Sequence, residues 1–175
     1  MSSNPRTNYN NAVKKTQKKC FITGVNSPQA ENAHIIPLNT LIEIGYKEHA
    51  ENGHNNLLLS KNLHATFELE NNIPTWTFER VSEIGLKYTK YKLIILSKPC
   101  FLEEQEYEND IFKIDSFKVP YLELHYGICC HVYKIEKYEN FKLYNLSQKG
   151  MLFINMFQKY LKNINKKPDN KRKPE

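Results

Sequence analysis

Short apolar runs alternate with polar clusters between residues 20 and 70, and a polar residue stands at each junction. His34 ends the first strand-like run, and Asn55 directly precedes the second, leucine-rich run. His64 lies near the start of a helical pattern, for which the hydroxyl group of Ser60 is a suitable N-cap. Because an unpaired polar side chain is costly among apolar residues, the pattern predicts a strand, a loop, a strand and a helix in which these side chains have specific partners.

The insert between the two runs and the segment after the helix have patterns of their own. Within residues 38–53, the spacing of Leu and Ile predicts a short helix that ends at Gly45. Residues 75–96 predict two strands, because apolar and β-branched side chains there nearly alternate with polar ones or form short runs. Residues 101–110 are acidic and predict a loop or short helix that faces away from any phosphate-binding surface or shields it.

The C-terminal part of the chain predicts further strands and one helix. Residues 111–143 contain three strand-like runs, IFKIDSFKV, GICCHVYKI and NFKLYNL, whose alternation favours an antiparallel sheet with one solvated face. Ser147 is a candidate cap for a helix over 148–164, whose apolar stripe either closes the core or forms a contact between two copies. The stripe comprises Phe153, Phe157, Tyr160 and Ile164.

Composition limits the classes of protein to which the chain can belong. Its 175 residues can bury a core in one domain, and 40% apolar with 12% aromatic residues favours a globular protein over a disordered one. No run of about eighteen apolar residues exists, so no membrane span is expected, and the N-terminus lacks the apolar stretch of a secretory signal. We therefore expect a cytoplasmic or otherwise intracellular protein.

The net charge of +6 is concentrated at the two ends of the chain. Residues 1–19 carry five Lys or Arg side chains and no acid, and residues 159–175 carry seven against two acids. Flexible cationic arms of this kind can contact a phosphate backbone, although Lys-rich tails also occur simply because they favour solubility. The expected DNA contacts in the N-terminal arm are Lys14, Lys15, Lys18 and Lys19.

The four cysteines do not form a recognisable zinc site. No C-x-x-C pair is present, and structural disulfides are not expected in a reducing compartment. Cys129 and Cys130 lie close to two histidines, but adjacent cysteines on a strand point to opposite sides and rarely share a metal ion. We expect Cys20 to pack beneath the first two strands and His125 to have a structural role.

Four sequence blocks in the first half of the chain carry a family resemblance. In order, they are CFITG at 20–24, AHIIP at 33–37, NNLLL at 55–59 and LHATFE at 63–68. They resemble the signature blocks of HNH endonucleases, which share the ββα-metal fold, and in particular the subgroup with AHIxP, NGLLL and LHxxFD motifs. The family's nine-residue interval between the Asn and the helical His selects Asn55. Asn56 in place of Gly and Glu68 in place of Asp are departures from the pattern.

The resemblance implies a role for each signature residue. His34 corresponds to the general base that activates water, and His34, Asn55 and His64 form the implied catalytic set. The implied metal ligands are His64, Glu68 and Asn55, and a spacing of four residues places the first two on one face of a helix. Asn55 either coordinates the metal ion or fixes the loop that orients the base.

The expected cofactor is a divalent metal ion, and no small-molecule cofactor is expected. Oxygen ligands favour Mg²⁺ or Mn²⁺, whereas an imidazole ligand leaves Zn²⁺ or Ni²⁺ as alternatives. Ala33 stands where many relatives have a further metal ligand, so the ligand set must be completed otherwise. Glu31 is a candidate substitute, because it lies one strand repeat earlier on the same face.

The implied function is metal-dependent hydrolysis of DNA phosphodiester bonds by an HNH endonuclease of restriction or homing type. Two alternatives stay open: a nuclease that is non-specific or directed at RNA, and a DNA-binding module without catalysis, for which Ala33 is the motivating feature. Because one motif holds one catalytic centre, cutting a second strand would require a homodimer or a reorientation of the protein. A membrane partner is not expected.

Together these patterns predict an α+β protein. The HNH ββα-metal motif occupies residues 20–72, after a basic flexible arm at 1–19. An antiparallel β-rich extension with a C-terminal helix, in the same domain, spans residues 73–164 and is followed by a basic disordered tail at 165–175.

Overall fold

The computed structural model describes residues 19–26, 29–69, 74–97, 101–133 and 154–162. It combines helices with antiparallel sheets, which confirms the predicted α+β class. The strands are β1 (Ala30–His34), β2 (Asn56–Ser60), β3 (Trp76–Arg80), β4 (Tyr88–Ile95) and β5 (Ile111–Asp115). The helices are α1 (Leu38–Ile44), α2 (Lys61–Phe67), α3 (Leu102–Glu106), α4 (Val119–Val132) and α5 (154–162), and 3₁₀ turns occupy Lys47–His49 and Ser116–Lys118.

β1 and β2 form an antiparallel pair that leads directly into helix α2. In this pair His34 lies opposite Asn56, and Ala30 lies opposite Ser60. The Ser60 hydroxyl oxygen accepts the N–H of Leu63 at 3.3 Å, so the last residue of β2 is also the N-cap of α2. The predicted order of strand, loop, strand and capped helix is confirmed.

The insert between β1 and β2 folds into α1 and the 3₁₀ turn that follows it. Gly45 ends α1 with a φ of +84°, a left-handed conformation that glycine adopts without the steric cost of a Cβ atom. The N–H of Gly45 donates to the carbonyl of Ile42 at 3.1 Å, and the N–H of Tyr46 donates to that of Leu41 at 2.8 Å. These bonds satisfy the last carbonyls of the helix, and the predicted helix stop at Gly45 is confirmed.

The second sheet is antiparallel and has the strand order β3-β4-β5. Residues 76–80 and 88–95 supply its first two strands, as predicted. Of the two alternatives for the acidic segment, a loop or a short helix, the structure has the helix, α3. Trp76 joins this sheet to α2, because its indole N–H donates to the carbonyl of Leu63 and to the hydroxyl of Thr66. The extension therefore packs directly against the helix that carries His64.

The prediction of a strand through GICCHVYKI is wrong, because residues up to Val132 belong to helix α4. Nearly every described side chain of this helix is buried, including Glu123 and His125. A helix that is buried on all sides loses the 3.6-residue alternation of apolar and polar positions, so its sequence resembles a buried strand. Of the other two predicted runs, IFKID forms β5, and NFKLYNL lies outside the described residues.

Helix α5 closes one side of the core. Phe157 is fully buried, and its ring contacts those of Tyr46, His49 and Tyr121 at centroid distances of 5.1 to 5.5 Å. Of the two alternatives for the apolar stripe, the structure supports closure of the core at Phe157. Phe153 and Ile164 lie outside the described residues, as does the candidate cap Ser147. The largest buried side chains elsewhere in the core are Trp76, Tyr91, Tyr121, Phe67 and Phe78.

Most of the two basic ends falls outside the described residues, including Lys14, Lys15 and Lys18. Lys19 is described: it is exposed and pairs with Asn26 in an isolated β-bridge. Cys20 is buried in the core next to this bridge, as predicted, and is a free thiol. Among the helices that the structure describes, none combines the length and apolar character needed to cross a lipid bilayer.

Candidate active site

His34 lies at the end of β1, where the chain leaves the two-stranded sheet. Its side chain is 23% exposed, and its Nε2 atom lies 3.8 Å from the Oε1 atom of Glu51. Glu51 belongs to the loop between the 3₁₀ turn and β2, and no sequence pattern had singled it out. A carboxylate at this distance favours one orientation of the imidazole, which nevertheless stays within reach of solvent.

Asn55 is fully buried, and its amide group bonds to the backbone of Ile36 through both of its polar atoms. The Oδ1 atom accepts the N–H of Ile36 at 2.9 Å, and Nδ2 donates to the carbonyl of the same residue at 2.9 Å. Weaker contacts join Nδ2 to the carbonyls of Ala50 and His49 at 3.4 and 3.5 Å. Asn55 thus ties the chain just after His34 to the end of the insert.

His64 lies on α2 and faces β1, where it contacts Glu31. Its Nδ1 atom is 3.2 Å from the Oε1 atom of Glu31, and both side chains are partly exposed. Glu68 stands just beyond the last helical residue and donates its backbone N–H to the carbonyl of His64 at 3.2 Å. Ala33, which occupies the position of the further metal ligand in the family pattern, is fully buried.

The donor set fits a divalent ion that keeps part of its hydration shell. Within the described ranges, no three His, Cys, Asp or Glu side chains come together as a preformed metal site. One imidazole nitrogen and one carboxylate oxygen do converge, at His64 and Glu31. Mg²⁺ is commonly held by one or two carboxylates while water and substrate phosphate supply its other ligands, so two protein donors are compatible with such an ion.

Lys118 approaches the same sheet from the 3₁₀ turn before α4. Its side chain is 8% exposed, and Nζ donates to the carbonyl oxygen of Asn56 at 2.8 Å and to its Oδ1 atom at 3.1 Å. Burial lowers the pKa of the Lys118 ammonium group to about 8, and the carboxylate of Asp115 partly opposes this shift. Sequence reasoning missed Lys118, because a lone lysine in an apolar run matches no motif.

The adjacent Phe117 contacts the loop before β2. Its ring stacks on that of His54 at a centroid distance of 5.0 Å and an interplanar angle of 22°. Partial burial lowers the pKa of His54, and the positive charge of Lys118 lowers it further. The turn Ser116–Lys118 therefore contacts both the loop and the strand that flank Asn55.

Buried His125 ties α4 to the C-terminal end of α2. Its Nε2 atom lies 2.8 Å from the carbonyl oxygen of Phe67 and so carries a proton, whereas Nδ1 accepts the hydroxyl of Thr77 at 2.7 Å. Burial lowers the pKa of His125 to about 4, so the ring is neutral near pH 7. The expected structural role agrees with these contacts. Burial also raises the pKa of the nearby Cys129 thiol, which disfavours the thiolate that a metal site would need.

The segment that contains His34, Asn55 and His64 is similar to a known protein family. Residues 20–70 match the sequence profile of a family described as HNH endonuclease. No curated protein and no solved structure matches the chain. The matched segment contains β1, the insert, β2 and α2, and it ends just after Glu68. Residues 20–70 therefore carry the sequence profile of the HNH endonuclease family.

Proposed function

We propose that the protein is a metal-dependent endonuclease that hydrolyses DNA phosphodiester bonds with His34 as its general base. The observation that carries this proposal is the placement of His34 within the matched segment. It is partly exposed, it lies next to the Glu51 carboxylate, and the backbone that follows it is fixed by Asn55. A general base needs this combination of access to water and restricted orientation.

His34 would take a proton from the attacking water. A neutral imidazole is suited to this step near pH 7, because its ordinary pKa lies close to that value. Glu51 would favour the ring orientation that presents one nitrogen to the water, and the exposed part of the ring would pass the proton to solvent. Asn55 would act through the backbone of Ile36 and is therefore a positioning residue in this proposal.

His64 and Glu31 would hold the divalent ion, most simply Mg²⁺ or Mn²⁺, with Glu68 as the next candidate ligand. The bound ion would supply positive charge to the scissile phosphate and to the leaving oxygen. We rank Glu31 ahead of Glu68 as the partner of His64, because the Glu31 carboxylate already lies 3.2 Å from the His64 imidazole. The Asn55 amide is bonded to backbone on both sides, so we do not include it in this ligand set.

DNA is the proposed substrate because the positive charge of the chain is concentrated at its ends. Lys14, Lys15, Lys18 and Lys19 would contact phosphates there, which makes binding strongly dependent on salt. RNA is the alternative substrate, and a restriction or homing role would additionally require a preferred sequence. Discrete fragments from a plasmid digest would favour sequence readout, whereas a smear would favour a non-specific nuclease.

A plasmid-nicking assay with Mg²⁺ or Mn²⁺ tests the proposal. Wild-type protein should nick the plasmid only with a divalent ion, and His34→Ala should lower the nicking rate by a factor of at least about 100. Glu43→Ala, which changes an exposed side chain of α1, is the control and should keep the activity. Undiminished cutting by His34→Ala would mean that another group is the base.

A DNA-binding module without catalysis is the second candidate function. Two observations favour it: Ala33 offers no ligand, and no three ligating side chains converge in the described part of the chain. This candidate predicts a folded protein that retards DNA in a gel but does not cut it with Mg²⁺, Mn²⁺, Zn²⁺ or Ni²⁺. Sedimentation of the protein on DNA would show whether it acts as a homodimer.

A further inference from the structure

We propose that Lys118, which lies outside the matched segment, is a positioning residue of the nuclease site and sets the position of His34 through Asn56. The inference rests on the proposed function and extends it to the C-terminal half of the chain. The Lys118 ammonium group donates two hydrogen bonds to Asn56. One goes to the backbone carbonyl oxygen of Asn56 and the other to its side-chain amide oxygen. Asn56 is the residue that lies opposite His34 in the sheet.

The type of strand pairing explains why Asn56 can transmit this contact. The N–H of Ile35 donates to the carbonyl of Asn55 at 3.4 Å, so the neighbouring pair of His34 and Asn56 is of the non-hydrogen-bonded type. In such a pair the Cα atoms are only about 4.5 Å apart, and the backbone polar groups point away from the partner strand. The Asn56 carbonyl is therefore directed outward to Lys118, while its Cα lies close to that of His34.

The Asn56 side chain also contacts β1 directly. Its Nδ2 atom donates to the Oδ1 atom of Asn32 at 3.4 Å. Asn32 and His34 are two residues apart on β1, so their side chains emerge on the same face of the strand. A continuous series of contacts thus runs from Lys118 through Asn56 to the face of β1 on which His34 stands.

Burial of an ammonium ion is costly unless oxygen acceptors replace the water that it loses. Here the cost is partly met by two acceptor oxygens and by the nearby Asp115 carboxylate. The stack of Phe117 on His54 fixes the same turn from the other side. Lys118 therefore contacts Asn56 from a turn that is itself packed against the loop before β2.

Kinetics of three variants test the inference. Lys118→Met keeps the length and volume of the side chain but removes the donors, and we expect it to lower kcat about a hundredfold with KM for DNA unchanged. Lys118→Gln keeps one donor group on a shorter, neutral side chain and should lower kcat about tenfold. Lys113→Met, on the exposed side of β5, is the control for loss of a positive charge and should behave as wild type.

The split between kcat and KM separates positioning from other roles. A raised KM with unchanged kcat would make Lys118 a DNA contact. A fractional loss of kcat that equals the fraction of the variant unfolded at the assay temperature would make Lys118 purely structural. Either result overturns the inference. If Lys118→Met does not fold, wild-type kcat in Lys118→Gln overturns it instead. Absence of cutting by wild-type protein with every divalent ion would refute the proposed function itself, whereas cutting that Lys118→Met retains in full would refute this inference alone.

Discussion

Asn55 binds both backbone polar groups of Ile36 with one side chain, its Oδ1 atom accepting the N–H and its Nδ2 atom donating to the carbonyl, each at 2.9 Å. Ile36 stands two residues after His34, so this double contact fixes the chain where β1 ends. Asparagine is the side chain that can do so, because its amide carries an acceptor and a donor side by side. The contact gives Asn55 a function that does not require a metal ion.

Exchange of Asn55 distinguishes this backbone contact from metal coordination. Asn55→Asp keeps the acceptor, loses the donor and places a buried charge beside the Ile36 carbonyl, so we expect unfolding free energy to fall by at least about 2 kcal/mol and cutting to be lost. A metal ligand would instead tolerate Asp, because carboxylates bind Mg²⁺ well. Urea unfolding and nicking assays measure both effects. Asn62→Ala, at an exposed position of α2, is the control and should change neither.

Removal of either proposed metal ligand should weaken metal binding without unfolding the protein. We expect His64→Ala and Glu31→Gln each to raise the Kd for Mn²⁺ by at least about tenfold, as measured by calorimetric titration. Glu43→Gln removes an exposed carboxylate from α1 and is the matched control. If Glu68→Gln weakened binding while Glu31→Gln did not, the ion would be held at the end of α2 as the family resemblance implies.

Helix α2 is fixed at its start by Ser60, which has two hydrogen bonds through one hydroxyl group. The oxygen accepts the N–H of Leu63, and the hydroxyl proton is donated to the Oε2 atom of Glu103 at 2.6 Å. Ser60→Ala removes both and should lower unfolding free energy by about 1 to 2 kcal/mol. Glu103→Ala removes only the second. Non-additive losses in the double variant, measured by urea unfolding, would establish that α3 stabilises α2 through this cap; additive losses would contradict it.

Local patterns were sufficient to predict the helices and strands of the matched segment. The Asn55-to-His64 interval, the Ser60 cap and Gly45 are signals within short stretches of sequence, and the structure has the corresponding elements where they were expected. The proximity of Glu31 to His64 also follows from strand alternation once α2 packs on β1. These features depend on neighbours in the chain or on one strand pairing, which a single sequence can indicate.

The contacts made from α4 could not be predicted in the same way. Lys118 and Asn56 are 62 positions apart in the sequence, and no motif around either residue indicates that the two are in contact. The strand interpretation of GICC failed because the helix is buried all round, although Pro120 in its first turn is a helix-start signal that could have corrected it. Glu51 was missed for a similar reason, since an acid in a polar loop has no periodicity to identify it.

Buried His125 should make the protein less stable at acidic pH. Its pKa is lowered to about 4 in the folded protein against about 6.5 in the unfolded chain, so between these values the unfolded chain binds more protons. The free energy of unfolding should therefore fall as the pH decreases through this range, by up to about 3 kcal/mol from this group.

Urea unfolding of wild type and His125→Gln from pH 7.5 to 4.5 measures the effect. Gln retains an amide donor for the Phe67 carbonyl but does not titrate, so the variant should be less stable at pH 7.5 and show a shallower decline. Parallel declines in the two proteins would mean that other groups cause the acid sensitivity.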